Sequence, residues 1–301
     1  MSATELIDLE HLGLRGAIGV YVILGEEPAL VDPGPSTTLE RLRAGLAALG
    51  VGPEDLRHIL LTHVHLDHAG ATGHLVEAYP HARVHVHEGG APHMVDPTRL
   101  VASTRRTFGE AHDRLWGEVK PVPSERIRGW SAGARDPLRG IRPIPTPGHI
   151  DHHLAFLDEG EGTLLAGDAM GIILAPGAPS HPPTPPPSVD LRAWENTLSE
   201  VRAIGPERFG VTHFGLHDDA VGRAQSLQTR LDALEARVRR AMEQGGGDED
   251  ATRFNDEVMQ EFAPFLGEDQ ARRYFDLFSA ATDWRGVRFY LERNPDTRRP
   301  S

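Results

Sequence analysis

Apolar residues in the first ninety positions fall into two alternating patterns. Short runs suited to strands occur over residues 17–24, 29–31, 58–62 and 82–87. Between them, Leu39, Leu42, Leu46 and Leu49 repeat at helical spacing over 38–49, with Gly50 as the stop, and residues 70–79 read as a second helix ended by Pro80. Ile59, Leu60 and Leu61 form the compact run of a strand buried on both faces, whereas 82–87 (ARVHVH) alternates with period two. This β-α-β-α-β order predicts an α/β fold with sheets covered by helices.

From 91 to 139 the pattern weakens, and helical turns and loops over a site are expected. Three short strands follow at 141–144, 153–157 and 163–166. The proline-dominated stretch 175–188 cannot pair in a ladder and reads as a stiff extended loop. Asp190 then caps a helix with the stripe Leu191, Trp194, Leu198, Val201 and Ile204, closed by Gly205-Pro206. Residues 209–212 are the last strand candidate. Beyond about 219 only helical periodicity remains: Leu227, Leu231, Leu234, Val238 and Met242 line one stripe, Gly245-Gly246-Gly247 breaks it, and two or three further helices carry Phe254, Phe262, Tyr274, Phe278, Trp284 and Tyr290. The expected division is therefore 1–218 as an α/β unit and 219–301 as an appended helical subdomain. Its aromatic stripe is expected to be a small core or a dimer surface rather than a substrate cage, so a homodimer stays open.

Composition narrows the chemistry. With no cysteine, disulfides, Cys-ligated zinc and thiol nucleophiles are excluded. Lys plus Arg is 31 against 44 for Asp plus Glu, a formal charge of −13, which disfavours nucleic-acid partners. Lys120 is the only lysine, so Schiff-base and P-loop chemistry have almost no candidate. The first 16 residues carry no basic-then-apolar leader, and no run reaches the ~18 apolar residues of a membrane span. A cytoplasmic location with no membrane partner is expected.

The 17 histidines matter through their placement. His63-Val64-His65-Leu66-Asp67-His68 follows directly on the most strand-like run of the chain. In extended backbone His63, His65 and Asp67 share one side and His68 the other. Four nitrogen and oxygen donors within six residues of a strand end are a strong metal signal. Completing a coordination shell requires donors from elsewhere. His149, Asp168 and His213 each repeat the arrangement of apolar strand, turn and single donor. His85, His87, His152, His153, His181 and His217 are not counted as ligands, and Asp32 is expected to brace the His63 loop by hydrogen bonding.

This set resembles the metallo-β-lactamase superfamily of dinuclear metal hydrolases: the HVHLDH motif, Pro147-Gly148-His149, Gly167-Asp168, Thr212-His213 and the upstream Asp32-Pro33-Gly34. The resemblance covers about residues 16–218. It implies a four-layer αββα sandwich with a helical C-terminal extension and a site along one edge of the two sheets. It also implies that His63, His65 and His149 hold a first divalent metal, that Asp67, His68 and His213 hold a second, and that Asp168 bridges them. Zinc is the first choice of ion, with iron or manganese as alternatives. A bridging hydroxide would attack a carbonyl, with Asp67 as the catalytic group that orients it or takes its proton. Gly167-Asp168 argues against β-lactam hydrolysis, and the pattern is closest to glyoxalase II-like thioesterases and lactonases. The resulting expectation is cleavage of a small thioester, ester or lactone. Phosphodiester hydrolysis and mononuclear-iron persulfide dioxygenation are the alternatives.

Overall fold

The computed structural model describes residues 3–131, 138 and 140–295. Its strands form two sheets. The first runs β1 (Ala3–Asp8), β2 (Gly19–Leu24), β3 (Ala29–Val31), β4 (His58–Leu60), β5 (Arg83–His87) and β6 (Ile127–Trp130) in sequential order. Its β1–β3 pairings are antiparallel and those from β3 to β6 are parallel. The second contains β7 (Ile141–Pro145), β8 (Leu154–Asp158), β9 (Thr163–Leu165), β10 (Arg208–Val211) and β11 (Gly215–Asp218) in the order β11-β10-β9-β8-β7, with only β9 and β10 parallel.

The inner faces of the sheets share one apolar layer. Tyr21, Ile23, Val31, Leu60 and Trp130 from the first meet Leu154, Phe156 and Leu165 from the second. The Tyr21 hydroxyl reaches across toward the carbonyls of Val211 and Gly215, at 2.7 and 2.8 Å. The connections carry α1 (Leu39–Ala48), α2 (Leu66–Ala69), α3 (Thr72–Ala78), α4 (Ala91–Val95), α5 (Thr98–Phe108), α6 (His112–Trp116) and α7 (Leu191–Ile204), of which α1, α3 and α7 contribute several buried residues to the larger apolar cluster outside that layer. Helix α7 forms as its sequence requires: the Asp190 side chain accepts from the N–H groups of Arg192 and Ala193, Trp194, Leu198 and Val201 are buried, and Gly205 ends it in a left-handed conformation. The result is the expected αββα sandwich. The C-terminal region is helical, comprising α8 (Ala220–Glu243), α9 (Asp248–Leu266), α10 (Glu268–Leu277) and α11 (Ala280–Arg293). Its buried residues, among them Leu227, Leu234, Phe262 and Trp284, belong to the same apolar cluster as Leu164, Trp194 and Phe209.

Three strands differ from the sequence reading. β1 and β11 are edge strands with few buried positions, and β6 lies within the stretch read as helical turns and loops. That stretch is otherwise helical over α4–α6, while 132–137 and 139 lie outside the described residues. Among the described residues no helix is long and apolar enough to cross a membrane.

Candidate metal centre

Strand β4 ends at Leu60, and the backbone then delivers Thr62, His63, His65 and, at the start of α2, Asp67 and His68 to one edge of the sandwich. His149 follows β7, Asp168 follows β9 and His213 follows β10, so all seven donors predicted from sequence arrive at this edge. Two glycines of the motifs are required there. A Cβ on Gly167 (φ +50°) would lie 2.6 Å from Thr62 Oγ1, and one on Gly148 would lie 2.4 Å from the Trp194 side chain.

The donors sort into overlapping triads. His63, His65 and His149 form one, Asp67, His68 and His213 another, and His63, His68 and Asp168 a third, with the donor atoms of each within 4.8 Å of one another. His65 Nδ1 lies 2.9 Å from His63 Nε2 and 3.0 Å from His149 Nε2. Those separations approach the ~3.3 Å edge of a tetrahedron with ~2.0 Å metal–nitrogen bonds. Asp168 faces both sides: Oδ2 is 3.4 Å from His149 Nε2, and Oδ1 is 3.5 Å from His68 Nε2 and 3.8 Å from His213 Nε2. Asp67 Oδ2 is 3.3 Å from His213 Nε2 and 3.7 Å from His68 Nε2.

Outer hydrogen bonds aim the rings. His149 Nδ1 bonds to the Pro183 carbonyl at 2.8 Å and His213 Nδ1 to the Ala17 carbonyl at 2.6 Å, while His63 Nδ1 is 3.1 Å from Thr62 Oγ1. Each leaves Nε2 directed at the cluster, the usual way a protein fixes a ligating imidazole. Asp32 is fully buried and braces several donors at once. It accepts from the Thr62 N–H and hydroxyl, from His68 Nδ1 and from the Thr212 hydroxyl. These bonds offset the cost, ~1–2 kcal/mol, of holding a non-glycine residue at φ +52°.

Electrostatics make the same demand. Burial opposes ionisation of Asp67 and Asp168, yet the neighbouring imidazole of His68 overrides it in both and lowers their pKa. Burial likewise opposes protonation of His68, but Asp168, Asp67 and Asp32 raise its pKa well above the ordinary value. His63 moves the other way, lowered by burial and by His68, and His65, lowered by burial and by His149, falls to about 3. The acidic side of the cluster thus calls for positive charge, and on the other side His63 and His65 present neutral imidazoles. Buried His68 Nε2 and Asp168 Oδ1 have no hydrogen-bond partner among the described residues. A set of nitrogen and oxygen donors with these orphaned atoms fits divalent cations.

Four further histidines have structural partners. His153 is fully buried, bonds Thr146 Oγ1 through Nδ1 at 2.7 Å and accepts from the Asp168 N–H through Nε2 at 3.3 Å, which steadies the Asp168 turn. His85, expected on a solvated strand face, is instead buried, 3.1 Å from His58 Nδ1, and accepts from Trp130 Nε1. His181 pairs with Asp283 of α11, and His217 with the Phe214 carbonyl. The sequence reading missed His11, Trp116 and Phe278, which meet beside the cluster. They come from three remote segments without a local motif.

With fold and site described, comparison with known proteins places the chain. The metallo-beta-lactamase superfamily model matches residues 15–213, and the chain belongs to that superfamily of metal-dependent hydrolases. It is 30% identical over 158 residues to the uncharacterized protein YobT of Bacillus subtilis, a match covering 51% of this chain and 62% of YobT. It is 28% identical over 208 residues to the metallo-beta-lactamase fold-containing protein ST1585 of Sulfurisphaera tokodaii, covering 65% of this chain and 72% of that protein. A hydroxyacylglutathione hydrolase of Cupriavidus taiwanensis is 30% identical over 149 residues, 48% of this chain and 46% of the enzyme. Among solved structures, ST1585 superposes with a TM-score of 0.63 at 24% identity over 78% of this chain and 86% of its own. The metallo-beta-lactamase family protein TTHA1429 of Thermus thermophilus gives 0.61 at 23% identity over 99% of this chain and 96% of its own.

Proposed function

We propose that this chain is a dinuclear metal hydrolase, with zinc the first choice of ion, that cleaves a small thioester, ester or lactone. The observation that carries the reading is the position of Asp168, with one oxygen toward His149 and the other toward His68 and His213. A carboxylate so placed suits a bridge between one ion held by His63, His65 and His149 and a second held by Asp67, His68 and His213. Bound divalent cations would supply an acidified water as nucleophile and positive charge to polarise the substrate carbonyl.

The chain's own groups do the rest. Asp67, kept ionised beside His68 and His213, is placed to orient the attacking water or to take its proton. Asp32 holds His68 through Nδ1, and His153 holds the Asp168 backbone. The likeness to a hydroxyacylglutathione hydrolase supports thioester chemistry, although Lys120, the sole lysine, is exposed and paired with Glu77. We further read residues 1–218 as the catalytic unit and 219–301 as its helical subdomain, in a cytoplasmic protein with no nucleic-acid or membrane partner.

Elemental analysis joined to a substrate panel tests this reading. About two zinc per chain with turnover of thioesters, esters or lactones supports it. One iron per chain with sulfite formed from a persulfide assigns the site to dioxygenation instead, and turnover of phosphodiesters alone assigns it to that hydrolytic class.

A further inference from the structure

Two buried polar rings lie against each other beside the donor cluster, and neither has a hydrogen-bond partner. His11, in the connection between β1 and β2, is fully buried, and both of its ring nitrogens lack a partner among the described residues. Its ring stacks on Trp116 at the end of α6, with centroids 5.7 Å apart and planes within 11°. Trp116 is buried too, and its indole N–H is likewise unpartnered. Leaving such groups unpaired in a protein interior forfeits the hydration they had in the unfolded chain.

The pair is joined to the site on two sides. Trp116 shares an apolar cluster with Leu66, the residue between His65 and Asp67, and with Phe278 just after α10. The loop bearing His11 is tied to His213, whose Nδ1 bonds to the Ala17 carbonyl, and Asp67 and His213 act electrostatically on the His11 ring. Tyr274 of α10, buried and within the field of Asp168 and Asp67, packs 5.2 Å from Phe278.

Backbone strain marks the same loop. Glu10 (φ 43°) and Leu12 (φ 54°), on either side of His11, both occupy the left-handed region without being glycine. That conformation is strained for residues with a Cβ, and such strain collects at functional sites. The loop is covered by α10 through two hydrogen bonds at the exposed surface, from Gln270 Nε2 to the Arg15 carbonyl and from an Arg273 guanidinium N–H to the Leu12 carbonyl. Exposed bonds of this kind are each worth little, so what holds α10 over the loop is the packing of its buried Ala271, Tyr274 and Phe275.

We propose that His11 and Trp116 form a substrate subsite beside the metal centre, reached when α10 and the His11 loop part, which holds a neutral, ring-bearing ester or lactone. This assignment rests on the hydrolase reading for its reaction but not for its binding. An indole N–H can only donate and a neutral imidazole offers one donor and one acceptor, so the two rings together match a carbonyl or phenolic oxygen on a flat ligand. Burial keeps His11 neutral, lowering it to about 4. In this account α10 and its aromatic residues are part of the substrate site.

The test uses the metal-loaded full chain and two variants, His11→Phe and Trp116→Phe, which keep a ring and remove the polar atoms. Calorimetric titration with acetanilide, an inert aromatic amide, measures binding apart from turnover, and phenyl acetate measures turnover. Expected are unchanged metal content in both variants, a melting temperature for His11→Phe equal to or above that of the wild type because orphaned polar atoms are gone, and at least about tenfold weaker acetanilide binding in each variant. The kcat/KM for phenyl acetate should fall in step. Binding lost in the variants with no ester turned over by the wild type would leave the subsite standing and sink the hydrolase reading. Wild-type protein that does not bind acetanilide, variants that bind it equally well, or variants that lose metal and melt several degrees lower would each overturn the proposal.

Discussion

Asp32 Oδ2 lies 2.8 Å from His68 Nδ1, and both side chains are fully buried. The same carboxylate binds Thr62 on the approach to the HVHLDH stretch and Thr212 next to His213, so one residue 30 positions upstream ties together two of the strand ends that carry the site. Removing it in Asp32→Ala strands His68 and two hydroxyls in an apolar interior. Expected losses are on the order of 3 kcal/mol in stability and 10–100-fold in affinity for an ion at His68. Chemical denaturation and metal competition with a chelating dye measure both. Unchanged affinity at full stability would show that His68 does not depend on this brace.

A second relay reaches the other side of the site. Asp283 of α11 bonds His181 Nε2 and the Thr184 N–H and, through its carbonyl, takes the Thr184 hydroxyl. Between those two residues the Pro183 carbonyl bonds His149 Nδ1. Asp283→Ala releases this proline-rich strap and removes the restraint on His149. Metal affinity should fall several-fold with a loss of ~1–3 kcal/mol in stability, and Asp283→Asn should recover part of both. Loss of stability with metal affinity untouched would confine Asp283 to packing.

Acid stability follows from a histidine that is not one of the donors. Burial, reinforced by His58 and by Arg128 and Arg83, lowers His85 to about 3, so it is neutral in the folded chain. The unfolded chain takes up this proton near pH 6.5, well before the folded chain does. Stability from this group is therefore intact above pH 6.5 and is lost as pH falls toward 3, at up to about 1.4 kcal/mol per unit. Denaturation of wild type and His85→Gln between pH 6.5 and 4 should give a shallower slope for the variant, whose side chain still accepts from Trp130. Equal slopes would mean that His85 protonates normally in the folded protein.

Much of the site was legible in sequence because its donors follow buried strands at short, regular distances. The run of Ile59, Leu60 and Leu61 announces β4, and the donors begin at His63, so the pattern that predicts the strand also aims the ligands. His149, Asp168 and His213 repeat that logic at other strand ends. Edge strands hide from such reading. In β1 only Ile7 is buried, and in β11 only Gly215, so neither shows an apolar face. His11 and Trp116 were invisible for a different reason. Their proximity is produced by a left-handed loop, the end of α6 and the cover of α10, and no periodicity in any one segment encodes that meeting.

The central claim is that two ions share Asp168. Crystals grown with zinc, with diffraction measured at the zinc absorption edge, test it most directly. The account predicts two anomalous peaks per chain, one within bonding reach (~2.0–2.2 Å) of His63, His65, His149 and Asp168, the other of Asp67, His68, His213 and the same Asp168 carboxylate. A single peak, or peaks lying away from these residues in protein of full zinc content, would contradict it.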